Sequence, residues 1–282
     1  MSSCPEDQYQ SIEVALNVVN RRLLGVEAET ATDTVRHELG VASVQARADA
    51  AVLKFRNTIK SLDTADFLVR RVYEGLVLEA GLGSGSSRNG VLYLKRLASA
   101  AKWPGPLTKG AAKKLVGEIL ATLQSAEFNH GVARLSTLRN MSDWVDEDRF
   151  GLPEYLKRPC PCTLREGRRL KTKFRVGCHP LRSSAARMER VRNATCPCCD
   201  TNDSETIQHT LFECKAFSDE RDAFLARLYS ICPDARHSTD EDRLRLLMGD
   251  ALPREIENTV YRYLITISTL RLGILTEQGE GS

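Results

Sequence analysis

Residues 196–214 read C-P-C-C-D-T-N-D-S-E-T-I-Q-H-T-L-F-E-C. With Cys196 and Cys199 as one pair and His209 and Cys214 as the other, the pattern is Cys-x2-Cys-x9-His-x4-Cys. A Cys-x2-Cys turn presents two sulfurs to one metal, and three thiolates with one imidazole complete the tetrahedral shell that zinc favours. A full shell has no open position, so the expected Zn2+ site is structural rather than catalytic. Asp203 or Ser204 can cap a short helix whose pattern runs from Thr206 to Phe212, which places His209 and Cys214 about a turn and a half apart. They share a metal if that helix ends between them. Cys198 is an alternative to Cys199 in the first pair, although the spacing favours Cys199.

The context of these residues argues for metal rather than disulfides. The chain has 282 residues and nine cysteines. Its start carries Glu6 and Asp7 without a basic-then-apolar pattern, so neither a secretory signal nor a mitochondrial presequence is expected. Thiols in such a chain are expected to stay reduced, in the nucleus or cytoplasm rather than outside the cell. No apolar run reaches the length of a membrane span, so no membrane partner is expected.

Charge is distributed unevenly. From Lys157 to Arg192 there are twelve Lys or Arg against Glu166 and Glu189, a local net charge of +10 in a chain of +3. The remainder is therefore acidic, at −7. A basic block beside a zinc module is the footprint of a phosphate-backbone binder, although a charge run is often only a solvated face. Arg168, Arg169, Lys171, Lys173, Arg175, His179 and Arg182 are the candidate contacts to RNA or DNA. The block spells neither helix nor strand clearly and reads as a basic segment over 151–192. A second metal cluster from Cys160, Cys162, Cys178 and His179 is conceivable, but Cys-x-Cys and an adjacent Cys-His pair are poorer zinc spacings.

The rest predicts helices, giving a mainly α chain with a bundle-like helical domain over 1–150 and the zinc module with C-terminal helices over 193–282. Ile12, Leu16, Val19 and Leu23 form an amphipathic stripe ending at Gly25, and a short helix from Thr32-Asp33 stops at Gly40. Val44, Ala48, Val52, Phe55 and Ile59 make another stripe, and further helices are expected over 67–80, 91–101, 111–128 and 135–144. Such stripes are expected to face a core. The Gly/Ser-rich run 81–90 follows a helix and lacks a closing Gly-Lys-Ser/Thr, so it reads as a connector rather than a phosphate loop. Trp103-Pro104-Gly105-Pro106 is a break. Past the zinc residues, Ser218 is the expected cap of one helix, 241–248 forms a second, and Pro253 opens a last one carrying Ile256, Val260, Leu264 and Ile267.

Three stretches together resemble the region downstream of the polymerase in non-LTR (LINE-type) retrotransposon reverse transcriptases. The first is Asn20-Arg21-Arg22-Leu23-Leu24-Gly25-Val26 with Thr32 through Gly40 and Arg70-Arg71-Val72-Tyr73-Glu74. The second is Phe174-Arg175-Val176-Gly177-Cys178-His179-Pro180-Leu181. The third is Thr195 through Cys199 with Ile207 through Phe217. The last two are similar to the family's zinc-binding domain. The resemblance implies handling of template RNA or target DNA, in company with a polymerase or another ribonucleoprotein subunit. No Tyr/Phe-x-Asp-Asp element that would hold two catalytic metals is found, so the chain is not expected to be an enzyme. The alternative expectation is a structural or scaffold subunit of a ribonucleoprotein that binds mainly protein.

Overall fold

The computed structural model describes residues 6–61, 107–134 and 151–279. Over these residues the protein is mainly helical, and β structure among them is limited to one isolated bridge between Thr195 and Ser204. The helices expected over 67–80, 91–101 and 135–144, the 81–90 connector and the 103–106 break lie outside the described residues. None of the described helices is long and apolar enough to cross a membrane.

The chain divides into two units, Met1–Asn17 with Val41–Asn129, and Val18–Gly40 with His130–Ser282. This differs from the three consecutive segments expected. Residues 18–40 belong with the C-terminal part, and the basic segment lies within that unit.

In the first unit, α1 (Glu6–Leu24) contributes its first half, followed by α3 (Val44–Ser61) and α4 (Lys109–Arg134). Glu13 accepts from the Val44 backbone N–H at 2.7 Å, which satisfies one of the donors left open at the start of α3. Asn57 closes on Leu107 by two bonds, accepting from its N–H at 2.8 Å and donating to its carbonyl at 2.9 Å. Small residues dominate the buried set, with Ala46, Ala50, Leu53, Ala112, Val116 and Phe128 inside. The stripe expected to be core on α1 is not. Ile12, Val19 and Leu23 are 47%, 50% and 71% exposed, and Phe55 of α3 is also open at 40%.

The second unit contains α2 (Thr32–Leu39), the four-residue α5 (Glu154–Lys157), α6 (Arg165–Arg175), α7 (Arg182–Arg187), α8 (Ser218–Ile231), α9 (Asp240–Met248) and α10 (Arg254–Glu277). Ser218 lies inside α8 rather than capping it, because Phe217 takes the cap position. At α9, Thr239 and Asp242 form a reciprocal capping box, which fixes that helix start without burial. The central helix is α10, packed on α6 and α8. Its Ile256, Val260, Leu264 and Ile267 sit at helical spacing and are all buried, as the periodicity predicts. Tyr263 stacks on Phe224 with ring centroids 4.1 Å apart, and its hydroxyl donates to the Leu211 carbonyl at 2.5 Å.

Two glycines set close approaches here. A Cβ on Gly167 would stand 2.4 Å from the Tyr261 carbonyl oxygen, so α6 reaches α10 this closely only without a side chain. Gly40 ends α2 in the left-handed conformation at φ 60°, and a Cβ there would fall 2.2 Å from the Gly151 backbone.

Candidate metal centre

Cys196 and Cys199 lie on a loop closed by the Thr195–Ser204 bridge. The Cys196 N–H donates to the Asp203 carbonyl at 2.8 Å, and the Glu205 N–H donates to the Ala194 carbonyl at 2.7 Å. The chain turns back through Asn202, one of two described residues outside glycine with a left-handed φ, here 61°. Asn tolerates that region better than most side chains. Thr201 Oγ1 sits 3.2 Å from Cys199 Sγ.

His209 and Cys214 converge by an unusual backbone. Residues His209–Glu213 form a π turn, and the Cys214 N–H reaches the His209 carbonyl at 2.6 Å. On an α-helix, residues five apart point about 140° away from one another. Widening the turn to an i→i+5 bond brings the fifth residue round to the side of the first. Sharing a metal was expected to require the helix to end between the two residues, and it does end at Glu213, with Cys214 extended, after widening to a π turn.

The resulting atoms form one cluster. Cys196 Sγ and Cys214 Sγ are 3.9 Å apart, Cys199 Sγ and His209 Nε2 are 3.4 Å apart, and all four donor atoms lie within 4.8 Å of one another. Cys196, His209 and Cys214 are buried and Cys199 is partly buried. Such a set could hold one metal ion. The other imidazole nitrogen, Nδ1, faces Glu213 at 3.8 Å and Asp203 at 4.0 Å. Carboxylates placed there orient a ligating imidazole with Nε2 toward the metal.

Cys198 belongs to a different grouping, with Cys196 and Glu205. The Glu205 carboxylate is already engaged. It accepts two bonds from Arg271, at 2.6 and 2.9 Å, and another from the Arg182 backbone N–H at 2.6 Å. Hydrogen bonding from Cys198 and then Cys214 holds the Cys196 thiol far below the usual range, and both donors are pushed up correspondingly. The eight described cysteines are all free. Cys160, Cys162, Cys178 and His179 are not among the groups that come close enough to share an ion among the described residues.

The seven candidate phosphate contacts separate sharply. Arg169 is exposed, while Arg168, Lys173 and Arg182 are partly exposed. Lys171, Arg175 and His179 are buried, at 0%, 0% and 7% exposure, which corrects their reading as backbone contacts. Burial holds the His179 imidazole neutral, with its pKa pushed down to about 3, and its ring packs edge-on to Phe174. Arg175 donates to both carboxylate oxygens of Glu38, at 2.7 and 3.1 Å, to Asp250 at 2.5 Å, and to the Met248 carbonyl. Tyr155 donates to the same Glu38 and touches Thr172 at 3.1 Å. Lys171 donates to the Gly249 carbonyl at 2.8 Å and lies over the Tyr155 ring. The physical reason is the twist of α6. Gly167, Leu170, Lys171, Phe174 and Arg175 share its inner face, so two cations enter the core with the apolar residues. Sequence reading missed Glu38, Tyr155 and Asp250 because their partners are far away along the chain and no motif links them.

Comparison with protein-family models, with curated proteins and with solved structures finds no match for this chain.

Proposed function

We propose that this chain is a zinc-stabilised, non-catalytic nucleic-acid-binding protein of intracellular, reducing surroundings. We further propose that it is related to the C-terminal part of a retroelement reverse transcriptase. The observation that carries the reading is the Cys196, Cys199, His209 and Cys214 cluster, which shares a core with a helix whose outer face is cationic. Zinc suits the donor types of the cluster, and two of its separations match zinc geometry. Tetrahedral edges built on zinc distances are about 3.8 Å between two thiolates and about 3.5 Å between thiolate and imidazole. The corresponding separations here are 3.9 and 3.4 Å. When bound, zinc would act as a cross-link between the 195–204 loop and the π turn, and its binding energy would be folding energy. The kinship is supported by the three stretches quoted above. Of these, the third contains the whole ligand set and the second contributes to the core of the same unit.

The metal is tested by elemental analysis of the full chain. One zinc per chain is expected in the unaltered protein and in Cys198→Ser. Cys214→Ser should lose zinc and melt at least ~10 °C lower, a shift that a few kcal/mol produces in a domain of this size. A Cys214→Ser protein that keeps stoichiometric zinc would overturn the ligand set. Function is tested by titrating labelled RNA and DNA with zinc-loaded protein at two salt concentrations. Affinity that falls steeply with salt is expected, and no binding to either at low salt would overturn the reading.

One observation favours the second reading, a scaffold subunit of a ribonucleoprotein. Val19 and Leu23 of α1, four residues apart and so on one side of the helix, are 50% and 71% exposed, a surface suited to a protein partner. That reading predicts self-association of the free chain, relieved by Val19→Asp with Leu23→Asp. Sedimentation showing a monomer before substitution would remove its support.

A further inference from the structure

The outer face of α6 has a regularity that composition alone does not reveal. Arg165, Arg169 and Lys173 recur every four residues, and the intervening inward positions are filled by Leu170, Lys171 and Phe174. Steps of four along a helix advance about 6 Å, so the three cations form a row about 12 Å long. Arg165 and Arg169 are exposed and Lys173 is partly so. Arg169 is braced at its base, its Nε donating to the Gly25 carbonyl at 3.0 Å, while Glu166 stays 3.7 Å from its Nη1 in an exposed pair of the kind that contributes little. The row is extended at one end. Arg187 reaches across to the Gly177 carbonyl at 2.5 Å, just past the C-terminus of α6. Exposed Arg22 lies one turn before Gly25, whose carbonyl holds Arg169.

We propose that Arg165, Arg169 and Lys173 dock the phosphate backbone of duplex nucleic acid, without reading its sequence. The proposal rests on the nucleic-acid reading above and specifies the contact and the form of ligand. A rigid helix displays its charges in a straight, evenly spaced row. A duplex offers its phosphates already ordered in such a row, whereas a single strand must lose conformational freedom to follow it. Cations directed at phosphates position a duplex but carry no base information.

The test is fluorescence anisotropy with the full zinc-loaded chain. The probes are a DNA duplex in two unrelated sequences, an RNA duplex and the matching single strands. The unaltered protein is compared with R165Q/R169Q/K173Q and with R227Q/R236Q/R245Q. The second triple removes the same charge from exposed positions whose arginines already face Glu255, Tyr229 and Glu241. Zinc content and circular dichroism check that both variants are folded. The α6 triple is expected to lose at least ~10-fold in duplex affinity and to flatten the slope of log K against log salt by about 2.7, roughly 0.9 for each phosphate no longer neutralised. The control triple should change affinity less than about threefold. Equal losses in both triples, with the unaltered protein binding, would overturn the row and leave the functional reading standing. Tighter binding to single strands than to duplex, or discrimination between the two sequences, would overturn the duplex-backbone assignment. No binding by the unaltered protein would overturn both proposals.

Discussion

Lys171 and Arg175 show how two residues of one charge run acquire different physics when buried. Arg175 keeps its charge, because Glu38 and Asp250 both hold its guanidinium. Lys171 has the Gly249 carbonyl and the Tyr155 ring as neighbours but no carboxylate within hydrogen-bond reach, and burial pushes its pKa down to about 7, with neighbouring Arg175 adding to the shift. An unfolded lysine binds its proton up to about pH 10.4. Between pH 7 and that value the unfolded chain therefore carries more protons than the native one, and stability rises with pH. Relative to Lys171→Met, the unaltered protein should gain about 1.4 kcal/mol per pH unit from pH 7 to pH 9. Urea denaturation of both proteins at three pH values measures the difference, in which the other titrating groups cancel. A difference independent of pH would show that Lys171 ionises normally.

At the scale of elements, two local irregularities make the site and the core. The π turn at His209–Glu213 brings a His-x4-Cys pair to one side, which a regular helix cannot do. Gly167 sets the separation of α6 and α10, and hence how far the inner face of α6 enters the core. Gly167→Ala should cost about 1–3 kcal/mol, the penalty of overpacking against backbone that cannot step aside. Gly117→Ala on α4 is the matching control. Its Cβ would meet nothing within 4 Å, and a helix-interior alanine should add up to about 1 kcal/mol. Chemical denaturation midpoints of the two variants should move in opposite directions. If both are neutral, the close crossing of α6 and α10 is wrong.

At the scale of the whole molecule, the second unit is assembled from segments far apart in sequence. Arg175 and Glu38 are separated by 137 positions, and Arg190 bonds Glu27 across 163. Residues 18–40 are thus part of the unit that carries the Cys196, Cys199, His209 and Cys214 cluster. A chain shortened to 151–282 loses the Glu38 carboxylate and leaves the Arg175 guanidinium short of its main partner. Breaking a buried pair in this way costs about 3–5 kcal/mol. Such a fragment should melt well below the corresponding transition of the full chain, and Glu38→Gln in the full chain should reproduce much of the loss. A fragment as stable as the intact protein would show that residues 18–40 are dispensable.

The helical class, the long C-terminal helix and the grouping of Cys196, Cys199, His209 and Cys214 were legible in the sequence. Each depends on spacings shorter than a few turns: the apolar recurrence in α10, the Cys-x2-Cys turn, and the single His and Cys that follow it. Local periodicity also placed Ile12, Val19 and Leu23 on one face of α1, but it could not say whether anything covers that face, and they are exposed. Charge was the least legible quantity. Twelve cations in a stretch of 36 residues look alike until a helix divides them into inner and outer faces. Tertiary structure then decided that Lys171 and Arg175 serve the core while Arg165, Arg169 and Lys173 face solvent. It also decided that the helix carrying His209 widens to bring Cys214 round. The physical reason is the same in both cases. Whether a side chain is buried, and what it meets there, is set by partners that the local sequence does not contain.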